Sequence, residues 1–234
     1  MKKFLTAEWR DLIMANYEVD SDLLASRVPA GTEVDLHDGK CFVSLVGFMF
    51  LDTRVMDFLV PFHVNFEEVN LRFYVQRESE GELRRGVVFV KEIVPRYAIA
   101  KVARTLYGEP YECWKMSHQR TEQSVEYTWD KRNCSNHLYV RRGENLGVPA
   151  EGSHGGFIIE HYWGYTKRGP GRTDEYKVEH PKWELFTVED SRIEVDFTCT
   201  YGPEFAFLND QQPHSILLAR GSEIVVYKGK TIHL

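Results

Sequence analysis

Apolar and polar residues alternate along Phe62 to Gln76, with Val69, Leu71, Phe73 and Val75 in one set and Glu68, Asn70, Arg72 and Tyr74 in the other. A period of two over this length predicts a strand with one buried face. A loop is expected from Arg77 to Arg85, after which Gly86 opens a second extended run, Val87-Val88-Phe89-Val90. Pro95 ends that run and suits the first turn of a helix. Ile99, Val102, Ala103 and Leu106 then recur at helical spacing, with Arg96, Lys101 and Arg104 on the opposite side. Gly108 is placed to close this helix and Pro110 to prevent its resumption, so Tyr111 to His118 reads as extended again. The unit is strand, helix, strand.

Before this unit, Thr6 can cap a helix whose Trp9, Leu12, Ile13 and Asn16 share a face, and Ser21 can cap a shorter one carrying Leu23 and Leu24. Thr32 to Leu36 and Cys41 to Phe50 read as strands joined by a turn at Asp38-Gly39, residue types that tolerate positive φ. Beyond Met116 the extended segments are Gln123–Trp129, His137–Arg141, Phe157–Lys167, Tyr176–Phe186, Ile193–Phe197 and Ile216–Tyr227. Glycine and proline separate most of them, as at Arg168-Gly169-Pro170-Gly171-Arg172. Many strands with few short helices predict a mainly β (α+β) fold, and closing an antiparallel sheet into a barrel removes exposed edges. No composition break divides residues 1–234, so one domain is expected.

Composition narrows the function classes. Hydrophobic residues at 43% and charged residues at 27% of 234 are those of a soluble globule, and a net charge of −6 argues against nucleic acid or anionic membrane as partner. A local patch at Arg141-Arg142 is the exception to that charge balance. No stretch approaches the ~20 apolar residues of a membrane span, and Glu8, Arg10 and Asp11 interrupt the apolar run that a secretory leader would need. Cys41, Cys113, Cys134 and Cys199 lie far apart without a C-x-x-C pair and read as isolated, reduced cysteines of a cytoplasmic protein.

Candidate chemistry is sparse. The chain has no G-x-S-x-G, Walker, dinucleotide or H-E-x-x-H motif. Its nine histidines include no i, i+4 pair on a helix, so they read as structural, and neither metal nor cofactor is expected. His180, ahead of Pro181 and Trp183, reads as a packing residue. The Arg168–Arg172 turn could hold an anion, although a solvated hairpin is the simpler reading. The polar set Glu68, Asn70 and Arg72 is either a solvated sheet face or the lining of an interior, and inside, Arg72 would need a carboxylate or a ligand as partner.

The spacing A-R-x-L-x-x-x-P over Ala103 to Pro110, after a Gly-led strand, resembles the segment of acetoacetate decarboxylases that carries paired lysines after the proline. Other motifs resemble the YqjF-like family of unknown function within that superfamily. They are Arg27-Val28-Pro29-Ala30-Gly31, the run from Phe66 to Val75, Pro110-Tyr111, and His180-Pro181-Lys182-Trp183. The resemblance spans about Trp9 to Tyr227 and implies a closed, cone-shaped antiparallel β-barrel with short outer helices. It implies that Glu68 faces a cavity and that Arg10 lies near it. At the lysine positions stand Tyr111 and Glu112, so Schiff-base chemistry at that place is not expected. The ligand-binding set so implied is Arg10, Glu68, Asn70, Arg72, Tyr111 and Glu112, with Arg142 outside the barrel. The expected function is binding of a small anionic or aromatic organic molecule. Its competitor is a lysine-independent lyase or hydrolase using Glu68 as acid or base and Tyr111 as hydrogen-bond donor. Whether the protein forms a homo-oligomer is left open.

Overall fold

The computed structural model describes residues 1–59 and 61–234, the side chains of residues 102, 103, 106 and 107 excepted. The strands are β1 (Lys3–Val19), β2 (Glu33–Val34), β3 (Cys41–Val55), β4 (Phe58–Leu59), β5 (Phe66–Ser79), β6 (Glu82–Val94), β7 (Tyr111–Cys113) and β8 (Lys115–Arg120). They continue as β9 (Ser124–Lys131), β10 (Cys134–Gly147), β11 (Trp163–Gly169), β12 (Arg172–Glu179), β13 (Leu185–Glu194), β14 (Ser215–Tyr227) and β15 (Lys230–His233). Three helices accompany them, α1 (Tyr97–Tyr107), α2 (His154–Ile159) and α3 (Phe197–Tyr201), with 3₁₀ turns at Ser21–Leu24 and Pro203–Asn209. The fold is mainly β.

All the strands belong to one sheet, whose central path runs β12-β11-β6-β5-β3-β1-β14. β12 also pairs antiparallel with β14, Val178 opposite Val226, so this path returns on itself. A second run, β13-β10-β9-β8, continues from β14 and folds back over the outside. The central strands are therefore buried on both faces. Ile13, Leu45 and Leu71 pack outward against Tyr127, Leu138 and Phe197, whereas Leu12, Val46 and Tyr74 belong to a second, inner cluster.

The strand-helix-strand unit is present. β6 and β7 lie parallel, Glu92 opposite Tyr111, and α1 connects them with Gly108 at φ 66° as its left-handed C-cap. Ala98 and Ile99 of that helix border the interior, while the expected apolar positions Val102, Ala103 and Leu106 lie outside the described side chains. Gly86 is needed where β6 meets β11, because a Cβ there would stand 2.6 Å from the Trp163 carbonyl oxygen.

Several local expectations are corrected. Residues 6–16 are strand, not helix. Asp11, at φ 53°, interrupts the pairing of β1 with β3 between Arg10 and Ile13, so Trp9 and Leu12 face the same side and Ile13 the other. An apolar residue on each face plus one bulge imitates a helical period. The Ser21–Leu24 turn is capped by Asp20, not Ser21. The supposed loop 77–85 is a tight hairpin turning at Glu80 and Gly81, both with positive φ. Phe157–Ile159 closes the short helix α2, whose cap is Ser153. Cys134 and Cys199 form a disulfide joining β10 to α3, with a Cα–Cα distance of 6.2 Å, while Cys41 and Cys113 are free. Sixty-five residues separate the paired cysteines, and only the return of the chain after β13 brings them together. The reading of four isolated thiols does not stand, and the cytoplasmic assignment loses that support. Among the described residues, no helix is long and apolar enough to cross a membrane.

Candidate functional site

The inner face of this path lines a cavity of about 330 Å³. Trp9, Phe48, Phe50, Phe66 and Phe89 supply much of its apolar wall. Alternation on β5 sends Glu68, Asn70 and Arg72 into it, as the sequence pattern requires once that face is turned inward.

β6 adds a carboxylate that alternation alone misplaces. Counting by twos from Val87 and Phe89 would turn Lys91 inward and Glu92 outward. The pairing instead passes from Arg72–Phe89 to Leu71–Lys91, leaving Val90 unmatched. This bulge turns Glu92 into the cavity, whereas Lys91 reaches outward to Glu112 at 3.0 Å and to the Thr200 carbonyl at 2.5 Å. β7 then sets Tyr111 beside Glu92, and Glu109, two residues earlier, also lines the cavity. Tyr176 of β12 completes the polar end. It fits because residue 164 is glycine: a Cβ there would stand 2.1 Å from the Tyr176 ring.

The groups form a hydrogen-bonded cluster. Tyr111 Oη donates to Glu68 Oε2 at 3.1 Å, and Asn70 Nδ2 donates to Glu68 Oε1 at 3.0 Å. Tyr176 Oη and Thr166 Oγ1 donate to Glu109 Oε1 at 2.6 and 3.4 Å. Glu92 Oε2 is buried with no hydrogen-bond partner among the described residues. Burial pushes Glu68 up to about 7, against the pull of the Asn70 and Tyr111 hydrogen bonds, with Glu109 adding repulsion and Arg72 offsetting it. Burial also pushes Glu109 up to about 7, despite hydrogen bonds from Tyr176 and Thr166. Glu92 is raised well above the usual range by burial and then by the charges of Glu109 and Glu68. Three carboxyls in one poorly hydrated space cannot all ionise near neutrality, so the cluster stores protons.

Arg72 forms no ion pair with Glu68 or Glu112. Its Nη2 donates to the Ile158 carbonyl at 3.4 Å, its guanidinium lies 5.7 Å from the Tyr74 ring centre, and its buried Nε has no partner among the described residues. Beyond it, His161 also lines the cavity, held by Asp35 through Nε2···Oδ2 at 3.0 Å.

Two expected members lie elsewhere. Glu112 alternates with Tyr111 and so faces out. Burial works to raise its pKa, but hydrogen bonds from Lys131, Trp114 and Lys91 outweigh it and hold the carboxyl down at about 2. Arg10 alternates with Trp9, pairs with Glu8 at 2.8 Å and borders a shallow cleft with Asp11, Arg120, Arg142 and Arg220. Arg142 is not a free surface group, because it and Arg120 both bind Asp11. The Arg168–Arg172 turn is a hairpin in which Arg168 pairs with Asp174 at 2.7 Å. His180 stacks on Trp183 at 4.1 Å, as a packing residue. The residues that sequence reasoning missed are Glu92, Glu109, Tyr176 and His161. A lone carboxylate inside the apolar run 87–94 was the one signal available for Glu92. Among the described residues, no three His, Cys, Asp or Glu side chains are arranged to hold a metal ion, and no lysine lines the cavity.

In fold the chain is similar to acetoacetate decarboxylases and their relatives. The acetoacetate decarboxylase of Legionella pneumophila superposes with a TM-score of 0.69 at 11% identity, covering 99% of this chain and 88% of that one. An acetoacetate decarboxylase-like enzyme from Sphingomonas wittichii RW1 gives 0.64 at 14% identity, covering 100% and 94%. The enduracididine biosynthesis enzyme MppR, solved with pyruvate, gives 0.63 at 14% identity, covering 100% and 90%. Within that fold the chain belongs to DUF2071, a family of uncharacterized conserved proteins, whose model matches residues 6–223. It is 26% identical over 126 residues to the uncharacterized protein YqjF of Bacillus subtilis (strain 168), a match covering 53% of this chain and 50% of that protein.

Proposed function

We propose that the chain binds a small organic acid in this cavity and acts on it by acid–base chemistry that uses no lysine. Glu68 transfers the proton, Tyr111 donates a hydrogen bond to it or to a substrate oxygen, Arg72 receives the substrate carboxylate, and the aromatic wall takes the apolar remainder. The observation that carries this reading is the Tyr111–Glu68–Asn70 hydrogen-bonded set on the wall of the cavity. Displacement of Glu68 to about 7 suits a group that both takes and returns a proton near neutrality. MppR, similar in fold, was solved with the small oxo acid pyruvate, which accords with a small-acid site. The same proposal takes the β12–β14 pairing as closure of a cone-shaped barrel and residues 1–234 as one unit.

The test is nuclear magnetic resonance in deuterated water with 2-hydroxy, 3-hydroxy and 2-oxo acids of roughly four to six carbons, a size suited to the cavity. The wild type should incorporate deuterium into, or remove water from, at least one acid. Glu68→Gln should still bind that acid and leave it unchanged. Saturable binding by the wild type with no chemical change anywhere in the panel would make the protein a binding module.

A further inference from the structure

The apolar wall of the cavity runs well past the Glu68 cluster, and in one direction. Phe48 of β3 stands opposite Glu68 and Phe50 opposite Phe66, where the pairing with β5 ends, but β3 continues to Val55. Alternation from Phe50 would turn Asp52 and Arg54 inward. Asp52 instead takes φ 50°, the pairing of β3 with β1 slips between Thr6 and Glu8, and Thr53 and Val55 line the cavity in their place. From Phe48 to Val55 the strand covers about 20 Å. Leu5, opposite Val55 on β1, lines the same stretch. Its polar members among the described residues are Thr53 and His63, and His63 Nδ1 is taken by the Pro61 carbonyl at 2.8 Å.

That stretch is where the cavity opens. β6 leaves the sheet at the same end of β5, Ile93 opposite Val69, and leads into α1. Ala98 of α1 lines the cavity and is exposed, whereas Glu68, Glu92, Glu109 and Tyr176 are buried. At Val55 the chain turns through Met56 and Asp57, both with positive φ, so that Phe58 of β4 stands opposite Val55. Phe58 is 75% and Phe62 89% exposed, and Met56, Leu59 and Tyr97 are exposed as well. Solvent-facing apolar side chains gathered at the open end of an apolar channel mark a surface that something apolar covers.

We infer that the acid taken by this cavity carries a long hydrocarbon tail, which leads from Glu68 past Phe50 and Val55, emerges between Ala98 and the β3–β4 turn, and lies with its end on Phe58 and Phe62. The inference rests on the reading of the cavity as an acid-binding site and adds the class of acid. A ligand with polar groups along its length would leave them unpaired against Phe50, Leu5, Val55 and Ile99. The order of groups on the inner face of β5 agrees with the pose. Arg72, Asn70, Glu68 and Phe66 follow one another there, so a carboxylate held toward Arg72 leaves the neighbouring carbons toward Glu68 and sends the tail out past Phe66.

Calorimetric titration of straight-chain 3-hydroxy acids of four, six, eight, ten and twelve carbons, each below its micelle concentration, tests head and tail separately. The whole chain is used as wild type, Arg72→Met, Val55→Gln, Ile99→Gln and the double variant Phe58→Ser/Phe62→Ser, each checked for cooperative unfolding. Wild-type affinity should rise by roughly threefold for each added methylene, up to about ten carbons, as each leaves water for the apolar wall. Val55→Gln and Ile99→Gln should each flatten this rise and weaken the ten-carbon acid by roughly tenfold. The double variant should weaken the twelve-carbon acid most, and Arg72→Met should weaken acids of every length. Affinity that is level or falls beyond six carbons, or a rise untouched by Val55→Gln, Ile99→Gln and the double variant, would overturn the tail alone, provided the short acids bind and need Arg72. If no acid of any length binds, or Arg72→Met changes nothing, the acid-binding site falls with it.

Discussion

Replacing Glu109 by glutamine should stabilise the protein, and by an amount that grows with pH. In the native cavity Glu109 is held at about 7 against an ordinary 4.5, chiefly by burial. A native pKa above the unfolded one means that the folded state keeps the proton longer. Stability contributed by the protonated carboxyl is therefore complete below pH 4.5 and is lost as pH rises through about 7. The displacement from 4.5 to about 7 corresponds to about 3 kcal/mol. Glutamine keeps an acceptor for Tyr176 and Thr166, never ionises, and also removes the repulsion that Glu109 exerts on Glu68 and Glu92. The difference in unfolding free energy between Glu109→Gln and wild type should be small at pH 5 and approach about 3 kcal/mol by pH 8.

Urea unfolding at pH 5, 6, 7 and 8 measures it, and the comparison must be with the variant rather than with wild type across pH. His154, His161 and His180 are each pushed down to about 4, mainly by burial, so they make stability rise between about pH 4 and 6.5 and mask the opposite slope of the carboxyls in wild type. Those histidines cancel in the difference. A pH-independent gap between Glu109→Gln and wild type, or a variant less stable at pH 8, would refute the buried proton-storing cluster.

Two further outcomes follow from the same geometry. Arg72→Met, which removes two long hydrogen bonds, to the Ile158 carbonyl and to Met14 Sδ, should cost about 1 kcal/mol or less, whereas Arg142→Met, which strips a partner from the buried Asp11, should cost about 2 kcal/mol by urea unfolding. The reverse order would mean that Arg72 neutralises a cavity carboxylate. Incubation with acetoacetate and borohydride should leave the intact mass unchanged, because no lysine lines the cavity among the described residues; a lysine adduct would restore amine chemistry to the site.

Regular period was legible and broken period was not. The part of β5 up to Gln76, the Gly108 cap and the Asp38-Gly39 turn could be read because propensity, spacing and tertiary role agree there. At Asp11 and Val90 the ladder slips by a residue, which made a strand look helical in one case and hid Glu92 in the other. Glu68, Asn70, Arg72 and Tyr111 reach the cavity, but Glu112 could be turned away only by knowing that Tyr111 faces in. Tyr176 and His161 come from β12 and the segment after α2, and no local pattern ties either to β5. The Cys134–Cys199 pairing depends on the same long-range return of the chain.

The residues after Gly108 decide what chemistry this cavity can support. The decarboxylase resemblance sets an amine after Pro110, and such an amine becomes a nucleophile when a second cation and a desolvated site discourage its protonation. Here Glu109 and Tyr111 enter the cavity on either side of the proline and meet Glu68 and Glu92. The same desolvation acts on groups of opposite charge type, so it retains protons where it would have stripped one from an amine. A single lysine introduced at residue 111 would lie among these carboxyls and be held protonated by them, the opposite of what Schiff-base formation requires. Restoring amine chemistry would therefore demand removal of Glu92 and Glu109 together with the new lysine.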